Sequence, residues 1–138
     1  MKHKPWIIGT LMLCWLPDSV LVAQSAAGET PASGIVSKYD KDSDQTLDLA
    51  EVKAAASAHF DKLDKDADGT LDSKEVKRVI GAKTFKAADP DNDGTLSKEE
   101  YLALVERLFK KADVDNDGTL NVTELKSSWA RALKRLID

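Results

Sequence analysis

Thiols, thioethers and imidazoles are nearly absent from this chain, whose 138 residues include one cysteine, two methionines and two histidines. A single cysteine cannot form an internal disulfide, and so few sulfur and imidazole groups leave no ligand set for softer metals such as zinc or copper. Basic residues are scattered among acids except for a cluster near the end of the chain, so no basic stripe indicates nucleic acid. There is also no nucleophile–base set, and we therefore expect the chain not to be an enzyme.

A long apolar run is missing as well. The longest covers residues 6–16, eleven residues, whereas a membrane-spanning helix needs about 20. Basic residues 1–4 precede this run, Pro17 and Asp18 end it, and Ala23 and Ser25 supply small side chains at a cleavage point. This pattern is typical of a secretory signal peptide over residues 1–25, with a membrane anchor as the alternative. We expect a periplasmic or secreted protein without membrane contact after cleavage.

Residues 26–34 are small and polar, which predicts a flexible lead-in, and a repeat occupies residues 35–138. Four twelve-residue segments align: DKDSDQTLDLAE from Asp40, DKDADGTLDSKE from Asp64, DPDNDGTLSKEE from Asp89 and DVDNDGTLNVTE from Asp113. Each resembles the EF-hand loop pattern, with acids at positions 1, 3, 5 and 12 and glycine at position 6. Removing residues 1–25 leaves 23 acids, and 18 of them fall on loop positions 1, 3, 5, 9 or 12, which excludes a random acidic surface.

Loops of this kind surround a hard cation with oxygens from positions 1, 3, 5, 7 and 9 and a bidentate glutamate at position 12. In loop one these are Asp40, Asp42, Asp44, Thr46, Asp48 and Glu51. Loop two has Asp64, Asp66, Asp68, Thr70, Asp72 and Glu75. Loop three has Asp89, Asp91, Asp93, Thr95, Ser97 and Glu100, and loop four Asp113, Asp115, Asp117, Thr119, Asn121 and Glu124. We predict four metal sites, with lanthanide(III) or Ca²⁺ as the ion.

Loop one lacks the glycine of position 6 and has Gln45 instead. A side chain in the left-handed conformation costs about 1–2 kcal/mol, so we predict that loop one binds metal most weakly. Four or five carboxylates in each loop also repel one another when no ion is present. We therefore expect the metal-free chain to be loosely folded and the ion to complete the fold.

The segments between loops have helical periodicity but only 12, 13 and 12 residues. One short helix must then both leave one loop and enter the next, which predicts an all-α, compact small helical bundle with the loops at its periphery. Gly81 interrupts the middle segment and would bring loops two and three to one end and loops one and four to the other. Phe60, Phe85, Phe109 and Trp129 are predicted to lie in the core, the last on a helix over residues 122–136, and His59 to have no chemical role.

Four such loops at steps of 24, 25 and 24 residues, behind a signal peptide, resemble lanmodulin, a periplasmic family of lanthanide-using methylotrophic bacteria. The resemblance covers about residues 35–138 and implies metal-induced folding and a preference for lanthanides over calcium. Family loops usually have proline at position 2, which occurs here only as Pro90. They also favour aspartate at position 9, in contrast to Ser97 and Asn121, and Gln45 is a third departure.

Two alternatives stay open. The extra carboxylates of loops one and two favour a trivalent ion, whereas Ser97 and Asn121 favour calcium. A calcium buffer or a sensor that recognises a protein partner is the other functional class. Residues 26–138 contain no methionine, which argues against the adaptable groove of a promiscuous sensor.

Overall fold

The computed structural model describes residues 31–138, and the predicted signal peptide over residues 1–25 lies outside this part of the chain. Its helices are α1 (Pro31–Tyr39), α2 (Leu49–Leu63), α3 (Ala82–Ala88), α4 (Lys98–Ala112) and α5 (Ser128–Lys134), with a 3₁₀ helix at Glu124–Lys126. Two strands complete the order, β1 (Thr70–Asp72) before α3 and β2 (Thr95–Ser97) after it. Residues 31–34, predicted as lead-in, belong to α1 instead. No helix within residues 31–138 is both long and apolar enough to cross a membrane.

One continuous helix links loop one to loop two, and another links loop three to loop four. These are α2 and α4, each of 15 residues, and both begin with a capping box. Asp48 and Glu51 form the box of α2, whereas Ser97 and Glu100 form that of α4. Because two otherwise free amides are satisfied at each start, the helices are fixed to begin at loop position 10. The two helices pack against each other at the centre of the molecule.

The middle connection is broken, as the position of Gly81 predicts. Residues 73–79 form turns, and Gly81 is the N-cap of α3 with extended dihedral angles. Loops two and three therefore lie side by side, and β1 pairs antiparallel with β2, with Leu71 opposite Leu96. We call loops two and three the inner pair.

Loops one and four meet in the same way and form the outer pair. Leu47 and Leu120 exchange backbone hydrogen bonds of 3.1 and 2.8 Å, and Asp48 forms an antiparallel bridge with Thr119. The predicted pairing of the four loops is thus confirmed. The two-stranded sheet is an addition to the all-α prediction, because three-residue strands are too short to show a period-two pattern.

The core lies between α2, α4 and α5 and includes the leucine at position 8 of every loop. Phe60 and Phe109 are buried as predicted, and Phe60 contacts Tyr101 edge to face at 5.6 Å between ring centroids. The Tyr101 hydroxyl donates to the carbonyl of Leu136 at 2.9 Å, which ties α4 to the end of the chain. Phe85 is only half-buried.

The prediction for Trp129 was wrong, since this side chain is 44% exposed. The continuous helix predicted over residues 122–136 is divided instead into the 3₁₀ helix and α5, with Ser127 capping the amide of Ala130. The break changes the helical register and turns Trp129 outwards, where Lys111 lies 4.5 Å from its ring centroid. Apolar spacing alone does not reveal such a break.

Candidate metal centres

Each loop brings three carboxylates together. The acids of positions 1, 3 and 12 have oxygens within 4.8 Å of one another in all four loops. These triads are Asp40, Asp42 and Glu51; Asp64, Asp66 and Glu75; Asp89, Asp91 and Glu100; and Asp113, Asp115 and Glu124. Oxygen ligands at this density suit a hard cation. All twelve of these residues were predicted as ligands from the loop pattern.

The position 1 aspartates are fixed at the end of the entering helix. The backbone amides of Asp64, Asp89 and Asp113 each donate to the carbonyl of the phenylalanine four residues earlier. The Oδ2 atoms of these three residues accept the amide of the position 6 glycine at 3.0–3.1 Å. Their Oδ1 atoms are buried and have no hydrogen-bond partner. A buried carboxylate oxygen without a partner is costly, so these three oxygens fit a bound cation.

Loop one differs at the corresponding oxygen. Asp40 Oδ1 accepts the amide of Ser43 at 2.6 Å, and Oδ2 accepts that of Gln45 at 2.9 Å. The pKa of Asp40 is lowered: desolvation acts to raise it, but the amide hydrogen bonds from Gln45 and Ser43 outweigh that effect. Both oxygens of this carboxylate are thus already stabilised by the protein, and an ion gains less by binding to it.

The threonine at position 7 locks the aspartate at position 5. In all four loops the threonine amide and hydroxyl both donate to one oxygen of that aspartate, at 2.7–2.9 Å. The threonine at loop position 7 was predicted to offer its backbone carbonyl to the ion. Its side chain has the second role of holding the position 5 aspartate. The repeated threonine was visible in the sequence, but its hydroxyl contact was not predicted.

The residue at position 9 accepts a hydrogen bond from the last residue of its loop, and in loops one and three it is also the N-cap of the following helix. Asp48, Asp72, Ser97 and Asn121 each accept the amide of the glutamate at position 12, at 2.6–3.3 Å. Aspartate, serine and asparagine side chains can all accept this amide, so the substitutions at Ser97 and Asn121 preserve the hydrogen bond at the loop end. They change the charge near the ion, and a water molecule commonly lies between this position and the metal.

The glutamate at position 12 is held by amides from both ends of its loop. The amides of Lys41, Lys65 and Val114, at position 2, donate to Oε1 of their glutamates at 2.5, 2.9 and 2.9 Å. Pro90 has no amide hydrogen, so loop three does not make this bond. Glu100 keeps the contacts of Oε2 with the amide and hydroxyl of Ser97 at 2.8 and 2.9 Å. In loop three the Oε1 atom of Glu100 therefore lacks the hydrogen bond that the other three glutamates accept at this atom.

The carboxylate at position 3 reports the crowding of negative charge. The pKa values of Asp42 and Asp66 are raised, mainly by loss of surrounding water and further by neighbouring acids. The pKa values of Asp91 and Asp115 are also raised, although the largest single influence, an amide hydrogen bond, acts to lower them. A cation in each loop would relieve this repulsion.

Two positions of each loop require left-handed backbone. Gln45 has φ of 70°, as predicted, where Gly69, Gly94 and Gly118 have 85–89°. Position 4 is left-handed too, with Ser43, Ala67, Asn92 and Asn116 at 57–64°. Asparagine tolerates this conformation better than serine or alanine, so loops one and two hold more backbone strain than loops three and four.

Two family models match the chain. One is described as the calcium-binding region of secreted protein acidic and rich in cysteine and matches residues 9–104, and an EF-hand model matches residues 104–127. The chain belongs to the first of these families and is an EF-hand protein. The first match includes loops one to three, and the EF-hand match includes loop four. No curated protein matches the chain.

As an EF-hand protein, the chain is a metal-binding protein, and calcium is the ion of the matched family. The position 1, 3 and 12 carboxylates would hold the ion, with the position 5 aspartate and the position 7 carbonyl completing the oxygen set. The buried, unpartnered oxygens of Asp64, Asp89 and Asp113 fit this arrangement.

Proposed function

We propose that this EF-hand protein acts outside the cytoplasm, in the periplasm or as a secreted protein, and folds around four hard cations. The observation that carries the proposal is the set of buried Oδ1 atoms of Asp64, Asp89 and Asp113, which lack any hydrogen-bond partner. A positive charge beside these oxygens would offset the cost of burying them without a partner. The signal-peptide pattern of residues 1–25 supports the location, and the four loops without a nucleophile–base set support a role other than catalysis.

Lanthanide(III) is the proposed ion of preference, in the manner of the lanmodulin proteins that the loop spacing resembles. A trivalent ion gains more than a divalent ion from a site with four or five carboxylates. The Oε1 atom of Glu100, which accepts no amide hydrogen bond because Pro90 has none to donate, is a second feature that favours a highly charged ion. Calcium is the alternative ion, supported by the neutral residues Ser97 and Asn121 and by the family description.

A titration of the protein from residue 26 tests the proposal. With chelator, far-ultraviolet circular dichroism should show little helix, and saturating calcium or lanthanum should restore it. Equal helix content in both conditions would contradict metal-induced folding. Lanthanum should then displace calcium from the protein when both ions are present at the same millimolar concentration, with Trp129 fluorescence as the readout. Equal affinities would remove the lanthanide preference and leave a calcium-binding protein, and no binding of either ion would overturn the proposal.

A further inference from the structure

The connection between the loops of the inner pair contains an open cleft of about 490 Å³, separate from the four carboxylate triads. Val76, Ile80 and Phe85 form its apolar floor, and Lys74 and Lys77 line its edge. We call this cleft, with these five residues, the connection cleft. Val76 is 1% exposed, whereas Ile80 and Phe85 are half-buried and leave apolar surface in contact with solvent.

The broken connection creates the cleft. The amides of Val79 and Ile80 both donate to the carbonyl of Val76, at 2.8 and 2.9 Å, which closes a tight turn after loop two. Gly81 then starts α3, and the Phe85 amide donates back to the Gly81 carbonyl at 3.0 Å. Ile80 and Phe85 thus lie on two short elements that meet at Gly81. These backbone hydrogen bonds hold the two elements in place and leave the space between the side chains of Ile80 and Phe85 open.

The charge around the cleft is positive in an otherwise acidic protein. Residues 73–88 contain five basic residues, Lys74, Lys77, Arg78, Lys83 and Lys86, and a single acid, Glu75, which faces the loop two site. Within residues 31–138 none of these five forms an ion pair, whereas Lys53 and Lys110 both pair with Glu106. Their charge is available to a partner.

We propose that the connection cleft docks an acidic peptide segment of a partner protein. One or two bulky apolar side chains of that segment lie on the floor, and its carboxylates pair with the lysines of the edge. The volume is within the range of about 300–1,000 Å³ that small binding sites occupy. The apolar floor and the two lysines match a short acidic segment in size and charge, and a lipid surface is the alternative outcome of the test.

Metal in the inner pair should strengthen this docking, a step that rests on the proposed function. Loops two and three present nine acids at their ligand positions, on both sides of the basic connection. Without ions these acids repel an acidic peptide, and bound cations neutralise them while the lysines keep their charge. The cleft thus becomes a site for acids when the adjoining loops are filled.

The proposal is tested by fluorescence anisotropy in excess calcium. The probe is a labelled octapeptide of six glutamates, one leucine and one phenylalanine. Replacing its leucine and phenylalanine by serine should weaken binding at least about tenfold, the effect of losing two buried apolar side chains. Phe85→Ser and Ile80→Ser should each weaken binding of the original peptide severalfold. Circular dichroism and calcium stoichiometry check that both variants fold.

The lysines of the edge are tested by the double variant Lys74→Gln/Lys77→Gln, which should weaken peptide binding roughly two- to tenfold, as expected for two exposed ion pairs. A matched double variant distant in sequence, Lys126→Gln/Arg135→Gln, makes the same change in net charge and should have little effect. Equal effects of the two double variants would overturn the proposal. The proposal would also be overturned if the protein bound phosphatidylglycerol vesicles through Lys74 and Lys77 but did not bind the peptide.

Chelator separates the two proposals. Because the proposed function has the metal-free chain loosely folded, chelator should abolish peptide binding in a sample whose loops calcium calorimetry has first shown to be filled. Peptide binding in a sample that binds neither calcium nor lanthanum would support the cleft and contradict the proposed function. Calcium binding without any peptide binding would support the function and overturn the cleft.

Discussion

In the inner pair Leu71 and Leu96 face each other across a three-residue ladder, and in the outer pair Leu47 and Leu120 exchange the same backbone bonds across a single bridge. All four leucines are fully buried. The pairs differ instead around the ion, because loop one has a strained Gln45 and an Asp40 whose oxygens are both hydrogen-bonded. Pairing and ion binding therefore depend on different residues of the same loop.

The largest expected effect tests the shared scaffold. Leu96→Ala and Leu47→Ala should each lower the free energy of unfolding by about 2–5 kcal/mol, since each removes a fully buried side chain. Guanidinium unfolding in saturating calcium measures both. Val114→Ala is the control, because this side chain is 74% exposed and its loss should have little effect. A much smaller cost for Leu47→Ala would mean that the outer pair does not form in solution.

The position 12 glutamates test the ion cages directly. Glu100→Gln in the inner pair and Glu124→Gln in the outer pair should each remove one site. The loss of metal affinity should exceed the roughly 10–100-fold that follows mutation of residues that only support the ligands. Isothermal calorimetry with calcium should show the stoichiometry fall by one. Glu51→Gln should have the smallest effect of the three on total binding, because loop one is the weakest. An effect equal to that of Glu124→Gln would contradict this ranking.

Gln45→Gly should make the metal affinities of the outer pair more similar to those of the inner pair. Glycine adopts the left-handed conformation without the cost of about 1–2 kcal/mol, so the affinity of loop one should rise roughly five- to thirtyfold. The weakest step of a calcium titration measures this. Gly118→Gln is the reciprocal control and should weaken loop four by a similar factor, because Gly118 has φ of +89°. No change in either variant would show that the conformation at position 6 does not limit binding.

The smallest effect concerns Pro90. Pro90→Ala restores an amide that can donate to Glu100, as the Val114 amide does to Glu124 at 2.9 Å. One hydrogen bond of about 0.5–1.5 kcal/mol then competes with the ion, so loop three should bind calcium roughly two- to tenfold more weakly. Val114→Ala keeps its amide and should leave loop four unchanged. Tighter binding by Pro90→Ala would mean that the bond positions Glu100 for the ion.

The repeats predicted the loop positions, the shared helices and the pairing, because the lengths between loops and the place of Gly81 leave few arrangements. Spacing did not predict the side-chain contacts within a loop. The hydroxyl of Thr70 on Asp68 and the left-handed backbone of Ala67 depend on the exact path of the chain. Trp129 was misplaced because Ser127 caps a new helix where periodicity continued without interruption.

The separation of the paired leucines along the chain has a consequence for the order of folding. Residues 71 and 96 are 25 positions apart, whereas residues 47 and 120 are 73 positions apart. Closing a chain segment costs about 0.6 kcal/mol more for each doubling of its length, which makes the longer closure about 1 kcal/mol costlier. The inner pair should therefore nucleate the fold and the outer pair should join last. On unfolding, amide hydrogen exchange should begin at Leu47 and Leu120 and reach Leu71 and Leu96 afterwards.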